Sequence, residues 1–164
     1  MQKILLSLAV FFISTVCCFA QNDTIRILAI GNSFSDDAIE DHLYPLAKAV
    51  GLTIVIGNIY KGGCSIERHV RNLRGDITDY EYRKIDAEGE RTISYGYTMA
   101  RGLADEDWDY ITMQQASPKS GLPETYDPYM TTVIDIVKEH KPDADLVWHM
   151  TWAYQGNSTH SGFA

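Results

Sequence analysis

The chain has 164 residues, and 14 Lys and Arg against 22 Asp and Glu give a formal charge of −8. That is one domain's worth of chain, and its acidic surface repels polyanions, which argues against nucleic acid as a partner. No basic amphipathic stretch points to a membrane surface.

The chain opens MQKILLSLAVFFISTVCCFAQ, with one early lysine and an apolar run from Ile4 to Phe19. The run is shorter than the roughly 20 apolar residues of a spanning helix, and small Ala20 precedes polar Gln21. This pattern predicts a secretory signal peptide over 1–20, a domain over 21–164 and export to the periplasm or beyond. Lipid anchoring at Cys17 or Cys18 is the minor alternative, because Val16 is bulky where a small residue is expected. Cleavage leaves Cys64 without a partner, so no intrachain disulfide framework forms.

Residues 24–30 (TIRILAI) are β-branched and apolar, as in a strand buried on both faces of a parallel sheet. Gly31 ends this strand. Ile39, Leu43, Leu46, Ala47 and Val50 then follow a helical spacing, with Asp36 or Asp37 suited to the N-cap and Gly51 to the C-terminal cap. A second buried strand, 52–59 (LTIVIGNI), completes a βαβ unit, which sets the class as α/β.

A short helix is predicted over 65–73 with Ser65 as N-cap. Alternation across 79–94, around a turn at Gly89, predicts a β-hairpin insertion. Residues 97–104 suit a short helix, 108–113 (WDYITM) a third sheet strand and 117–123 a loop. The spacing of Tyr129, Met130, Val133, Ile134 and Val137 predicts a helix over 126–140 ended by Pro142, and 144–150 (ADLVWHM) is the fourth sheet strand.

In an open α/β sheet, ligands lie beyond the carboxyl ends of the strands. Three segments fall there: Gly31-Asn32-Ser33-Phe34-Ser35, Gly62-Gly63 and Gln114-Gln115-Ala116-Ser117. A serine between strand and helix either caps the helix or stands where helix amides stabilise developing negative charge. Glycines let backbone N–H groups approach an oxyanion or simply make a turn. The glutamines are amide donors or crevice polar groups. GNSFS has neither the lysine of a phosphate loop nor the spaced glycines of a dinucleotide site, so no cofactor is implied. Cys64 and His69 lack a matching second pair for a metal.

The blocks IGNSFSDD, YKGGCSIERH, WDYITMQQAS and VWHMTWAYQ, in this order, resemble a largely uncharacterised secreted bacterial branch of the SGNH (GDS-type) hydrolase superfamily. The resemblance implies a flavodoxin-like three-layer sandwich with a mainly parallel sheet, incomplete at its C-terminal end. It also implies a serine ester hydrolase acting on a small-molecule or glycan ester, including acetylated carbohydrate. Ser33 would be the nucleophile, with oxyanion donors from the Ser33 and Gly63 amides and the Gln115 or Gln114 side chain. Asn32 stands where aspartate is more frequent, and the third block lacks the usual asparagine.

The superfamily's Asp-x-x-His block, which supplies the general base, has no counterpart before Ala164. His42, His69 and His140 read as structural or solvated, His149 as a core or crevice hydrogen-bonding group and His160 as a weak candidate base. The alternative is a non-catalytic carbohydrate-binding or vestigial domain, for which Trp148, Trp152 and Tyr154 offer stacking surfaces.

Overall fold

The computed structural model describes residues 24–151 and 154–159. The expected signal segment and His160 lie outside the described residues, as does Trp152.

Strands β1 (Ile25–Gly31), β2 (Ile54–Tyr60), β3 (Tyr80–Ile85), β4 (Arg91–Tyr97), β5 (Tyr110–Met113) and β6 (Asp145–Trp148) form one sheet in the order β4-β3-β2-β1-β5-β6. β2, β1, β5 and β6 run parallel, whereas β3 pairs antiparallel with β2 and β4 antiparallel with β3. Helices cover both faces, giving the three-layer α/β arrangement anticipated from the sequence. The expected hairpin is present, but it joins the main sheet at the free edge of β2, where Ile56 pairs with Ile85 and Tyr60 with Glu81.

A continuous helical run over 33–49 crosses one face. It begins as α1 (Ser33–Ser35), widens to a π-helix over Asp36–Leu43 and closes as α2 (Tyr44–Ala49). Pro45 has no N–H to bond the preceding turn, and the wide turns directly before it give its ring room. The loosened Glu40 carbonyl finds a partner in Arg91 Nη2 at 2.9 Å. Ile39 and Ala47 of this run pack on Ala29, Ile54, Ile56 and Ile85.

The opposite face carries α3 (Ile66–Arg74), α4 (Met99–Ala104) and α5 (Tyr129–His140). Ile66, Val70, Leu103, Val133 and Val137 pack there against Leu28, Ile30, Val55, Ile59 and Ile111. Period-two alternation along β1 and β2 therefore feeds both cores.

Two caps form as the sequence predicts. Ser65 Oγ accepts from the Arg68 N–H, and Gly51, at φ 77°, closes the first helical run. There Gly51 N–H donates to Lys48 O and Leu52 N–H to Ala47 O, the two bonds of a Schellman motif. The first helix starts earlier than its aspartates suggest. Asn32 is the N-cap, accepting from Phe34 N–H, so Asp36 and Asp37 fall inside the helical run. Trp108 precedes β5 instead of opening it, and its ring is buried with Nε1 donating to Gly102 O at 3.0 Å.

Gly57 marks the tightest packing in the sheet. A Cβ there would lie 2.6 Å from Trp108, 2.8 Å from the Tyr82 hydroxyl and 3.0 Å from Leu28. Gly57→Ala is expected to cost about 1–3 kcal/mol through overpacking. This would appear as a lower urea midpoint at unchanged m. Gly62→Ala, whose Cβ would meet only the Tyr60 hydroxyl at 3.5 Å, serves as the neutral control.

Among the described residues no helix is long and apolar enough to cross a membrane.

Candidate functional site

The carboxyl ends of β2, β1 and β5 bring the three predicted segments to one edge of the domain. Asn32, 1% exposed, joins them. Its Nδ2 donates to the carbonyl of Cys64 at 3.1 Å, in the loop after β2, and to that of Gln115 at 3.5 Å, after β5. Its Oδ1 accepts from the Phe34 N–H at 3.1 Å. A Lys61 N–H to Gly31 O bond of 3.2 Å ties the first two loops again.

Ser33 projects from this node at the start of the helical run and is exposed. Among the described residues, no side chain hydrogen-bonds to its hydroxyl. Gly31 is required by close approach, because a Cβ there would lie 1.9 Å from Ser35 Oγ and 2.9 Å from Asn58 Oδ1. Gly63 is also exposed and has φ 63°, a backbone conformation that favours glycine.

The two glutamines diverge. Gln115 is fully buried and ties loops together: its Oε1 accepts from the N–H groups of Ile66 and Ala116, and its Nε2 donates to the Thr125 carbonyl and hydroxyl. That amide, one of the expected oxyanion donors, holds the start of α3 instead of facing the crevice. Gln114, 1% exposed, has one end of its amide 2.7 Å from Asn32 Oδ1 and the other 2.5 Å from His149 Nδ1.

The Gln114 orientation and the His149 tautomer are thus linked. With its nitrogen on Asn32, the Gln114 oxygen accepts a hydrogen bond from the Nδ1–H of His149. Turned over, the oxygen accepts from the backbone N–H groups of Asn32 and Ser35, and the nitrogen donates to Nδ1. His149 lies one residue beyond β6, its N–H bonded to Met113 O at 2.8 Å. Partial burial lowers its pKa below the ordinary histidine value, keeping the ring neutral at physiological pH. Of the described histidines it is the one that Gln114 links to Asn32.

The other described histidines lie elsewhere. His42 and His140 are exposed and their Nδ1 atoms meet the carbonyls of Asp37 and Ile136. His69 is buried on α3 and stacked on Tyr80. Tyr154 meets the Ser117 hydroxyl, and Trp148 packs at a tilt against Tyr126. Cys64 is buried with its thiol pushed up to about 12 by desolvation, which makes it inert as a nucleophile. No group of three or more metal-ligating side chains occurs among the described residues.

A second polar cluster under the site went unread in the sequence. Asn58 lies in the middle of β2, fully buried, and connects Ser35 to Glu40. The signal was present as a lone amide side chain inside the run LTIVIGNI, and as a carboxylate beside Ile39 on the inward face of the helix.

A hollow of about 430 Å³ adjoins Gly62, lined by Tyr60, Lys61, Asp79, Glu81 and Tyr95. The larger hollow, about 500 Å³, lies around Asp109, Lys141, Asp143 and Asp145 at the amino ends of β5 and β6. It has no part in the Ser33 site.

A solved DUF4886 family protein from Bacteroides uniformis ATCC 8492 superposes on the chain with a TM-score of 0.80 and 47% sequence identity. The alignment covers 86% of this chain and 55% of that one, so the chain spans about half that relative's length. No curated protein matches. These findings correct the SGNH resemblance, since the family that matches is a different one. The blocks behind the resemblance have local physical causes: Gly31 avoids Ser35, Asn32 caps a helix and Gly63 makes a positive-φ turn. An open α/β sheet asks for such residues at its strand ends whatever its ancestry. With residues 26–164 matched to Domain of unknown function (DUF4886), the chain belongs to that family.

Proposed function

We propose that the chain is a serine-dependent ester hydrolase with Ser33 as nucleophile. The observation that carries this reading is an exposed serine at the start of a helical run, held by a buried asparagine that joins three strand-end loops. Attack by Oγ on an ester carbonyl breaks the C–O bond to the leaving alcohol and forms an acyl-enzyme, which water then hydrolyses. The Ser33 and Gly63 backbone amides suit the tetrahedral oxyanion, and the Gln114 amide steadies the loop beside them.

The acidic chain favours neutral or cationic esters over polyanions. Small-molecule esters and acetylated glycans are the substrate classes proposed, with the domain acting after export.

The test is hydrolysis of 4-nitrophenyl acetate by the wild-type chain beside Ser33→Ala. Loss of a nucleophile lowers turnover by several orders of magnitude, so a rate at least about 100-fold lower in the variant is expected. Equal rates would remove the reading. A non-catalytic carbohydrate-binding domain is the second reading, favoured by the exposed ring of Trp148 beside Tyr126.

A further inference from the structure

The turn that carries Ser33 rests on a buried polar chain running away from the crevice. Ser35 Oγ, fully buried, is 2.7 Å from the Asn32 carbonyl oxygen and 3.1 Å from Asn58 Oδ1, so its single proton is shared between the two. Asn58 Nδ2 in turn donates to Glu40 Oε1 at 2.6 Å. Glu40 is 6% exposed and points inward from the π-helical stretch Asp36–Leu43.

Arg83 on β3 closes the far end. Its Nη1 lies 2.7 Å from Asp36 Oδ1 and 3.9 Å from Glu40 Oε1, and its Nη2 lies 2.8 Å from Glu81. The helical run is thereby pinned to β2 and β3 at the turn that begins it. Burial lifts the Glu40 carboxyl above its ordinary range, opposed by the Asn58 hydrogen bond and by Arg83. Apolar packing alone would fill this position without such a desolvation cost.

Resting on the reading of Ser33 as nucleophile, we propose that Glu40 is a positioning residue that, through Asn58 and Ser35, sets the turn presenting the Ser33 hydroxyl. A π-helical stretch suits this role. Its extra residue per turn rotates one side chain inward that a regular helix would carry elsewhere, and such stretches recur at functional sites. The close fit of Gly31 against Ser35 and Asn58 leaves the turn no slack, so a displaced Asn58 moves the Asn32 carbonyl and with it Ser33.

Two readouts test the proposal on wild type, Glu40→Gln, Glu40→Leu and Ser35→Ala. The first is amide hydrogen exchange at residues 32–36, which reports the turn independently of any reaction. The second is the rate of Ser33 labelling by a fluorophosphonate, with kcat and KM for 4-nitrophenyl acetate. Glu40→Gln keeps an oxygen for Asn58 and is expected to stay within about threefold of wild type. Glu40→Leu and Ser35→Ala are expected to exchange faster at 32–36 and to label about tenfold more slowly, with kcat falling and KM unchanged.

Ser35→Ala removes only a hydroxyl, so it keeps the test open if Glu40→Leu does not fold. Wild-type exchange and labelling in Ser35→Ala and in any folded Glu40→Leu would overturn the positioning role. A wild-type chain that is never labelled at Ser33, but whose turn still loosens in the variants, would overturn the nucleophile reading while leaving the link from Glu40 to the turn in place.

Discussion

Replacing Asn32 by leucine is expected to remove a large share of the domain's stability together with the Ser33-dependent turnover proposed for it. The asparagine donates to two carbonyls and accepts from Phe34 N–H. Leucine leaves the Cys64 and Gln115 carbonyls buried without the amide that now serves them, and each such group costs about 1–3 kcal/mol. Loss of the N-cap adds about 1 kcal/mol. A total of about 3 kcal/mol or more is expected, against the roughly 5–15 kcal/mol of a typical domain, and urea unfolding measures it.

Asn32→Asp is the sharper comparison. Aspartate keeps an oxygen for Phe34 but sets a second oxygen against the Cys64 and Gln115 carbonyls, at positions now 3.1 and 3.5 Å from a donating nitrogen. The physical need at this node is for a side chain that donates as well as accepts, which an ionised carboxylate cannot do. Both variants should therefore be destabilised, and both should lose about 100-fold or more in the proposed ester turnover, because a displacement of about 1 Å at the reacting group costs that much. A wild-type unfolding midpoint in Asn32→Asp would show that the two carbonyl contacts carry no weight.

Acid should destabilise the domain through His69 before most carboxylates titrate. His69 is buried on α3, with Nδ1 3.0 Å from the Tyr80 hydroxyl and Nε2 without a partner among the described residues. Desolvation, with a smaller contribution from the Arg68 charge, takes its pKa from 6.5 down to about 3. Between those values the unfolded chain binds a proton that the folded chain refuses. The stabilisation is complete above pH 6.5 and is lost progressively as pH falls toward 3, at no more than about 1.4 kcal/mol per pH unit.

Urea midpoints measured from pH 7 to pH 5 for wild type and His69→Phe check this. The phenylalanine keeps a ring on Tyr80 and loses one hydrogen bond, so it should start about 1 kcal/mol less stable at pH 7 and show a flatter pH dependence. Glu40 works in the opposite sense. Its raised pKa means that the folded chain holds a proton longer, a contribution lost as pH rises through the folded value. The difference between the two proteins isolates His69, because Glu40 is common to both. Equal pH slopes would rule out a neutral buried imidazole.

Several features were legible because they depend on residues close in sequence. TIRILAI and LTIVIGNI read as buried strands, Gly51 and Ser65 read as caps, and Ser33 read as the serine of a strand-to-helix junction at the carboxyl end of the sheet. Periodicity and cap chemistry are local, so they survive without knowledge of the fold. The blocks at the strand ends misled for the same reason, because local turn requirements generated a pattern that also occurs in another superfamily.

The sequence by itself determined the α/β class, the order of elements and the place of Ser33 within it. Only the tertiary structure decided what surrounds that serine. Gln115 turned to Thr125 and α3 instead of the crevice, Asn32 became the node, His149 alone of the described histidines was drawn to Asn32, and Glu40 reached Ser35 through Asn58. Each of these pairings joins residues far apart in the chain or on different elements. Which polar group satisfies which is a question of three-dimensional proximity under the demand that nothing polar be buried alone, and residue order does not encode it locally.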